Sequence, residues 1–235
     1  MIKQADCLAI IPARKDSKGL PNKNMLPLGN KPLIGHSISV ALDSPYVSEV
    51  VVSTDGPEIA EYSRNAGASV PFIRPADLAS DEAKNIDVLR HAVDFYEQVL
   101  NRSFKYILLL QPTSPLRTTA NINEAFELFL AQGAQSLQSV TSTSSHPYLL
   151  RKFRDGNLEP YQKDEKSHLR RQDLEPLYVL NGAIYIVTRD LLMNGYALVG
   201  DHNVGYLMSR EQSIDIDDEF DLKLAQFIWS GTGDY

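Results

Sequence analysis

The sequence contains 235 residues, of which 43% are hydrophobic, and its formal net charge is −7 at pH 7. This composition predicts a globular protein with a sizeable core, and it argues against nucleic acid as the main partner, because such binding draws on many clustered Lys and Arg side chains. The single cysteine, Cys7, excludes an internal disulfide, and no apolar stretch has the length of a signal peptide or a membrane span. We therefore expect a cytoplasmic protein without a membrane partner.

Short apolar runs flanked by polar residues recur along the first half of the chain. They predict buried strands at residues 7–11, 50–53, 70–73 and 106–110. Helical periodicity between them predicts helices at residues 33–43, 57–67 and 85–100. This alternation predicts an α/β fold with a mostly parallel sheet and helices on both faces.

Three polar loops follow these predicted strands. They are residues 11–24 (IPARKDSKGLPNKN), 53–56 (STDG) and 111–117 (QPTSPLR). Because ligands bind outside the carboxyl ends of the strands in such sheets, we expect all three loops to face one cleft.

The first of these loops is strongly basic. Arg14, Lys15, Lys18 and Lys23 lie within ten positions of a chain that is acidic overall. Such a concentration of positive charge favours a polyphosphate, although a solvated basic surface is the alternative. Gly19 allows a positive φ or a close backbone approach, but the loop lacks the glycine spacing of a P-loop and of a dinucleotide-binding fingerprint.

A polar excursion with few apolar residues occupies residues 139–176. The Asp155-Gly156-Asn157 turn predicts a small hairpin inside it, and a strand around residues 181–186 returns the chain to the core. Because such an arm seldom buries its own apolar surface, we expect a homodimer.

Two aspartates alternate with isoleucines in the segment SIDIDDEFDL near the C-terminus. In a strand, Asp215 and Asp217 would share one face while Ile214 and Ile216 point to the core. Two carboxylates on one face suit a Mg²⁺ ion that also binds substrate phosphates, whereas the alternative is an acidic edge strand. The acidic residues that follow favour the start of a last helix at residues 220–229.

The basic loop and the paired aspartates are complementary. A nucleoside triphosphate with Mg²⁺ needs cations for its phosphate oxygens and carboxylates for its metal, and this chain supplies one set near each end. Together they predict phosphoryl or nucleotidyl transfer.

Five motifs, in order, carry a family resemblance: IPARKDSKGLPNKN, RPADLASDEA, LLQPTSPLR, RRQDLEPLYVLNGAIYI and SIDIDDEFDL. Over nearly the whole chain the sequence resembles the N-acylneuraminate cytidylyltransferases, which make CMP-sialic acid and related CMP-nonulosonic acids. The cytidylyltransferases for 3-deoxy-manno-octulosonate are less similar, because their first loop ends in a different pattern. The resemblance implies a single domain over residues 1–235 with a Rossmann-like nucleotidyltransferase sheet and a dimerisation arm at about residues 139–176.

The resemblance also implies a reaction. CMP would pass from CTP to the anomeric hydroxyl of a nonulosonic acid, with Mg²⁺ as cofactor and pyrophosphate as the second product. N-acylneuraminate is the leading substrate that the resemblance implies, legionaminic acid is the alternative, and a catalytically silent nucleotide-binding homologue is a further possibility.

Individual residues of this sequence receive roles from the same resemblance. For the nucleotide, it implies triphosphate contacts from Arg14 and Lys23, a contact from Asn24, and a frame around the cytidine from Arg74 and residues 79–85, which include Asn85. For the sugar acid, it implies contacts from Gln111, Arg171, Asn181 and Tyr185. Asp215 and Asp217 are the implied Mg²⁺ ligands, and with Arg14 and Lys23 they form the expected catalytic set.

Two departures from the family pattern concern the substrates. Asn85 stands where a small hydroxyl residue is expected, and Val179 and Leu180 stand where a second arginine is expected. The nucleotide is therefore better supported than the sugar. A missing polar group beside Asn181 favours a less hydroxylated sugar, because an unpaired buried polar group costs about 1–3 kcal/mol.

Overall fold

The computed structural model describes residues 6–16, 19–143, 145–162, 170 and 173–231. Within them the strands are β1 (Cys7–Pro12), β2 (Pro27–Leu28), β3 (Lys31–Pro32), β4 (Glu49–Ser53), β5 (Tyr106–Leu109), β6 (Ser136–Ser142), β7 (Arg151–Arg154), β8 (Asn157–Pro160), β9 (Tyr178–Thr188) and β10 (Asn203–Leu207). The α-helices of the same ranges are α1 (Leu33–Leu42), α2 (Pro57–Asn65), α3 (Asn85–Gln98), α4 (Thr119–Ala131), α5 (Arg189–Met193) and α6 (Glu219–Gly231).

Six of these strands form one sheet in the order β10-β6-β9-β5-β1-β4. Strand β1 pairs in parallel with β4 and β5, and β10 pairs in parallel with β6. Strand β9 runs antiparallel to both of its neighbours, β5 and β6. The predicted mostly parallel sheet is therefore confirmed, with β9 as its one reversed strand.

Both faces of the sheet are covered by helices, as predicted. In β1, Leu8 and Ile10 join a buried apolar cluster that includes side chains of α3 and α5. Ala9 and Ile11 join the cluster on the other face, which includes side chains of α1, α2 and α4. Because successive side chains of a strand point to opposite faces, a continuous apolar run such as CLAII is what a strand buried on both faces requires.

The strand predicted at residues 70–73 is wrong. Residues 70–73 form no strand: the chain makes a single parallel bridge between Ser69 and Val51 and then leaves the sheet. The Ser69 N–H donates to Val50 and the Ser69 carbonyl accepts from Val52, but the next donor of a parallel ladder would come from Pro71, which has no N–H. Apart from the strand expected at the acidic segment, which is also absent from the described residues, the other predicted strands and helices occur within a few residues of their expected bounds.

The polar excursion contains the predicted hairpin. Strands β7 and β8 pair antiparallel, and Asp155 and Gly156 close them with φ angles of 48° and 80°. Two consecutive positive φ values match the twist of a two-residue hairpin turn. Strand β6 stays in the central sheet to Ser142, so the excursion begins at residue 143 rather than at residue 139, where the sequence placed it.

Across the ranges that the structure describes, none of the helices combines the length and the apolarity needed to cross a lipid bilayer.

Candidate active site

A cleft of about 310 Å³ lies at the carboxyl ends of β1 and β5. Residues from both ends of the chain line it, and two of the three polar loops contribute, 11–24 and 111–117, whereas residues 53–56 do not line it. The predicted site residues that it brings together are Arg14, Lys23, Asn24, Arg74, Asn85, Gln111, Asp215 and Asp217.

The basic loop is folded against its own backbone and against the STDG loop. The buried Asn24 donates from Nδ2 to the carbonyl oxygen of Arg14, 2.9 Å away. The backbone N–H of Lys15 donates to Oδ1 of Asp55 at 2.8 Å. These bonds hold the loop at the mouth of the cleft, and Lys18 lies outside the described residues.

Gly19 shows why this loop needs its glycine. A Cβ atom at this position would lie 2.3 Å from the carbonyl oxygen of Asp217, so the two backbones meet at a distance that only glycine permits. Close by, Nζ of Lys23 lies 3.1 Å from Oδ1 of Asp217. The basic loop and the acidic segment, which are far apart in sequence, are therefore in direct contact.

The acidic segment does not form the predicted strand. Residues 214–217 are outside the sheet, and the N–H of Ile216 donates to the carbonyl oxygen of Thr113 at 2.8 Å. Because Thr113 lies in a loop, no ladder can continue from this bond. The predicted alternation holds nevertheless, since Ile216 is fully buried while Asp215 and Asp217 line the cleft.

Asp215 has the environment of a carboxylate that lacks its natural partner. Burial raises its pKa, and the charges of Asp217 and Asp221 raise it further, against the lowering effect of Thr113 and Lys23. Its Oδ1 is buried and has no hydrogen-bond partner among the described residues. A cation at this oxygen would relieve both the desolvation and the repulsion from Asp217.

The donor set suits a hard cation that shares its coordination with a substrate. No group of three or more His, Cys, Asp or Glu side chains suited to a metal occurs in the described part of the chain. Mg²⁺ commonly uses one or two carboxylates and takes the remaining oxygens from water and phosphate. The pair of Asp215 and Asp217 therefore fits Mg²⁺ bound together with a phosphate-bearing substrate.

On the other side of the cleft, a second ion pair joins the basic loop to the segment between α2 and α3. Arg14 Nη1 forms a salt bridge with Oδ1 of Asp81, which lies in the loop before α3. Asn85, the first residue of α3, lines the cleft nearby. Both predicted triphosphate-binding cations are thus paired with carboxylates in this structure.

Arg74 is a buried cation beneath this side of the cleft. Its Nε donates to Oγ of Ser53 at 3.0 Å, and its Nη2 donates to the Ser53 carbonyl oxygen. The pKa of Arg74 is lowered to about 10, mainly by burial and to a smaller extent by the charge of Arg14, against the raising effect of Asp55. Arg74 therefore adds fixed positive potential to the cleft while its geometry is set by β4.

Arg117 is the supporting residue that sequence reasoning missed. It is 2% exposed, and its guanidinium donates twice to the carbonyl oxygen of Gln111, at 2.9 and 2.8 Å, and also to that of Ser114. Burial lowers its pKa to about 9, with Asp215 opposing the shift. Arg117 thus fixes the QPTSPLR loop, and the only signal in the sequence was an arginine between a buried strand and a helix start.

The sugar-side residues are not brought together in the same way. Arg171 lies outside the described residues. Asn181 is buried and does not line the cleft. Tyr185 is half-buried on β9, where burial and, to a smaller extent, Asp215 raise the pKa of its hydroxyl. Val179 and Leu180 are exposed outside the cleft, so the substrate roles proposed for these positions stay predictions.

Gly182 forms part of the floor between two predicted site residues. It has a φ of 73° at an irregularity in the pairing of β6 with β9. A Cβ at this position would lie 2.7 Å from Oε1 of Gln111 and 3.4 Å from Oδ2 of Asp215. Both the backbone conformation and the space between Gln111 and Asp215 therefore require glycine.

Sequence comparison gives a family match over most of the chain. The profile of the cytidylyltransferase family matches residues 8–216. The N-acylneuraminate cytidylyltransferase of Escherichia coli O18:K1:H7 is 35% identical over 220 residues, which are 93% of this chain and 51% of that protein. The CMP-N,N'-diacetyllegionaminic acid synthase of Legionella pneumophila is 40% identical over 229 residues, which cover 93% of this chain and 94% of that protein.

The matched lengths differ between these relatives. The chain spans about half the length of the curated N-acylneuraminate relatives that it matches. Among solved structures, a CMP:2-keto-3-deoxy-manno-octonic acid synthetase complexed with CTP superimposes with a TM-score of 0.70 at 17% identity, covering 97% of this chain and all of that one. At this identity the likeness supports the fold, which agrees with the predicted nucleotidyltransferase sheet.

Proposed function

The chain belongs to the cytidylyltransferase family, and on that premise we propose that it transfers CMP from CTP to the anomeric hydroxyl of a nonulosonic acid, releasing pyrophosphate. One observation carries the proposal: Lys23 of the basic loop lies 3.1 Å from Asp217 of the acidic segment, inside the cleft at the carboxyl ends of the strands. Cations and carboxylates in contact are what a nucleoside triphosphate with a divalent ion needs.

The reaction is a displacement at the α-phosphorus of CTP. The anomeric oxygen of the sugar acid forms a bond to this phosphorus, and the bond from phosphorus to the oxygen that bridges the α- and β-phosphates breaks. Pyrophosphate leaves with that electron pair, and the hydroxyl proton passes to solvent. The residues of the cleft contribute by aligning the two substrates and by neutralising charge on the leaving group.

Arg14 and Lys23 are the side chains that we assign to the triphosphate. Both line the cleft, and each already binds a carboxylate there, so their geometry suits an anion. Arg74 raises the positive potential beneath them from its buried position, where it is hydrogen-bonded to Ser53 of β4. Phosphate oxygens would replace the carboxylates of Asp81 and Asp217 as partners of these cations.

Asp215 and Asp217 are the residues that would hold Mg²⁺. The unpartnered Oδ1 of Asp215 and the adjacent carboxylate of Asp217 support this assignment. When bound, the ion supplies positive charge that stabilises the phosphates during displacement. The backbone contact at Gly19 keeps Asp217 beside Asp215.

Two sugar acids remain candidates. N-acylneuraminate is the leading substrate by motif resemblance. The relative named for N,N'-diacetyllegionaminic acid, however, has the higher identity and matches this chain over 94% of its own length, whereas the N-acylneuraminate relatives are about twice as long as the match. This difference, together with Val179 and Leu180 in place of the expected arginine, favours a legionaminic-type acid.

We also propose that the protein is a homodimer that works in the cytoplasm. The β7–β8 hairpin exposes large apolar side chains, including Phe153, Leu158 and Tyr161. A two-stranded hairpin is marginal by itself, and an apolar surface of this kind is typical of an interface. The free thiol of Cys7 is compatible with a reducing compartment.

A panel assay tests the proposed activity. Purified protein is incubated with CTP, Mg²⁺ and, in turn, N-acetylneuraminic acid, N,N'-diacetyllegionaminic acid, pseudaminic acid and 3-deoxy-manno-octulosonate, and pyrophosphate release is measured. We expect release with a nonulosonic acid and none with the octulosonate. Release at the level of the acceptor-free blank with every acid, while calorimetry still detects CTP binding, would establish the silent nucleotide-binding alternative instead.

A further inference from the structure

The side-chain amide of Asn181 has no hydrogen-bonding capacity left for a ligand. Its Oδ1 accepts from Oγ of Ser139 at 2.6 Å and from the N–H of Ala183 at 3.2 Å. Its Nδ2 donates to Oγ of Ser213 at 2.9 Å and to Sδ of Met208 at 3.3 Å. A carboxamide offers two N–H donors and two acceptor lone pairs, so all four are used.

The burial of Asn181 also argues against a contact with a ligand. Asn181 is 4% exposed and lies beneath the cleft rather than in its lining. A contact with a sugar hydroxyl would require one of the four bonds to break, and a buried polar group left unpaired is destabilising. A direct contact between Asn181 and the sugar acid, as the motif resemblance implied, therefore conflicts with its surroundings.

The bonds of Asn181 join β6 to two segments that border the cleft, the QPTSPLR loop and the turn before Asp215. Ser139 lies on β6, and its Oγ also accepts from the N–H of Ile184 at 2.8 Å, which fixes β9 beside the irregular pairing. The carbonyl oxygen of Asn181 accepts from Oγ of Ser114 in the QPTSPLR loop at 3.2 Å. Ser213 lies in the turn that leads into Asp215.

The position of Asp215 depends on these segments. Ser213 is two residues before Asp215, and its hydroxyl donates to the carbonyl oxygen of Ser209 at 2.5 Å while it accepts from Asn181. Gly182 is the residue after Asn181, and the side chains of Gln111 and Asp215 fill the space that a Cβ atom at position 182 would need. A shift of Asn181 would therefore displace Asp215 in two ways. One is through Gly182, which lies against the Asp215 side chain, and the other is through Ser213, which precedes Asp215 in the chain.

We propose that Asn181 is a positioning residue that acts through Ser213 to hold the carboxylate of Asp215 in its metal-binding place. This inference rests on the proposed function, because it assigns to Asp215 a role in binding Mg²⁺ with CTP. It replaces the expectation that Asn181 contacts the sugar acid. Residues that orient a metal ligand commonly change metal affinity or activity by about 10- to 100-fold when they are removed.

Three variants test the proposal. Ser213→Ala removes the bond between Ser213 and Asn181 from its outer end, and Asn181→Ala removes it from its inner end. Ser209→Ala is the matched control, because it deletes a hydroxyl from the same turn that does not contact Asn181. For each variant we would measure the Mg²⁺ concentration for half-maximal rate, the KM for the sugar acid, and CTP-dependent Mn²⁺ binding by electron paramagnetic resonance.

We expect Ser213→Ala and Asn181→Ala to weaken Mn²⁺ binding and to raise the half-saturating Mg²⁺ concentration by about 10-fold, with the sugar KM within about twofold of wild type. Ser209→Ala should match the wild type. The effects of Ser213→Ala and Asn181→Ala should be less than additive in the double variant, because both substitutions remove the same hydrogen bond between Asn181 and Ser213. A rise of about 10-fold or more in sugar KM for Asn181→Ala, with unchanged metal binding, would overturn the proposal.

The design also separates this inference from the proposed function. If Asn181→Ala does not fold, Ser213→Ala alone decides, because Ser213 is partly exposed and its hydroxyl is a small deletion. If the wild type releases no pyrophosphate with any acid, the proposed function fails, but the Mn²⁺ measurement still reports whether Asn181 positions Asp215. Unchanged Mn²⁺ binding in Ser213→Ala would count against the positioning role in either case.

Discussion

The cleft and the β7–β8 hairpin are built in opposite ways. The cleft is assembled from residues that are far apart in sequence, and its cations Arg14 and Lys23 each have a carboxylate partner. The hairpin is made of neighbouring residues, and it leaves Phe153 82% exposed. The comparison teaches that the residues that we assign to phosphate and metal meet within one chain, whereas the hairpin leaves an apolar surface suited to the second chain that we propose.

The largest expected effect comes from removing a carboxylate of the cleft. Asp217→Asn should lower the rate of pyrophosphate release by about 100-fold or more, because an amide neither balances a divalent cation nor pairs with Lys23 as strongly. The free energy of unfolding in urea should stay close to that of the wild type, since the Asp217 side chain is 78% exposed.

Glu219→Gln is the matched control for this variant. Glu219 is a nearby exposed carboxylate that pairs with Lys223 on α6 and does not line the cleft. Its rate should equal that of the wild type. Wild-type turnover by Asp217→Asn at low Mg²⁺ would contradict the role that we assign to the cleft.

A second variant tests the other side of the comparison. Phe153→Asp should raise the dissociation constant of the proposed dimer by about 30-fold, because it places a charge in an apolar interface. The fold of each chain should be retained, since the Phe153 side chain is strongly exposed and packs little against the core of its own chain. Light scattering across micromolar concentrations gives the mass.

Phe227→Asp serves as the control for the hairpin. Phe227 is also strongly exposed, but it lies on α6 outside the excursion. We expect this variant to keep the wild-type mass. A wild-type protein that is monomeric across the same concentrations would show that the hairpin does not need a second chain.

The smallest effect sharpens the description of the cleft. Asp81→Asn removes the carboxylate that competes with phosphate for Arg14, so CTP should bind about two- to fivefold more tightly. The gain is small because partly exposed ion pairs contribute only about 0.2–1 kcal/mol. Calorimetric titration with CTP measures it, with Asp77→Asn in the same segment as the control, and weaker CTP binding would indicate that Asp81 helps rather than competes.

Local patterns in the sequence were sufficient for most of the fold. Apolar runs such as CLAII and YILLL predicted strands because a strand covered on both faces must be apolar at every position. The residues at 70–73 favour a strand, but no strand forms there because Pro71 has no N–H with which to continue the ladder. A pattern of apolar residues indicates which positions are buried, whereas the strand with which a segment pairs depends on the rest of the chain.

The site shows the same division. The charges of Arg14, Lys23, Asp215 and Asp217 could be predicted as one cluster, because a nucleoside triphosphate with Mg²⁺ needs both cations and carboxylates. The supporting roles of Arg117 and Asn181 could not, because a polar residue gives no local sign that it will be buried and bonded to backbone from other segments. Tertiary contacts alone decide whether such a side chain binds a ligand or holds a loop.

The contact between Gly19 and Asp217 has a consequence for biosynthesis. These two backbones touch, yet they lie far apart along the chain, so a ribosome makes Gly19 well before Asp217. At about 5–20 residues per second, the interval between them is on the order of 10–40 s. A nascent chain therefore carries Lys23 for nearly that time before its partner Asp217 exists, so this side of the cleft cannot form until residue 217 has been made.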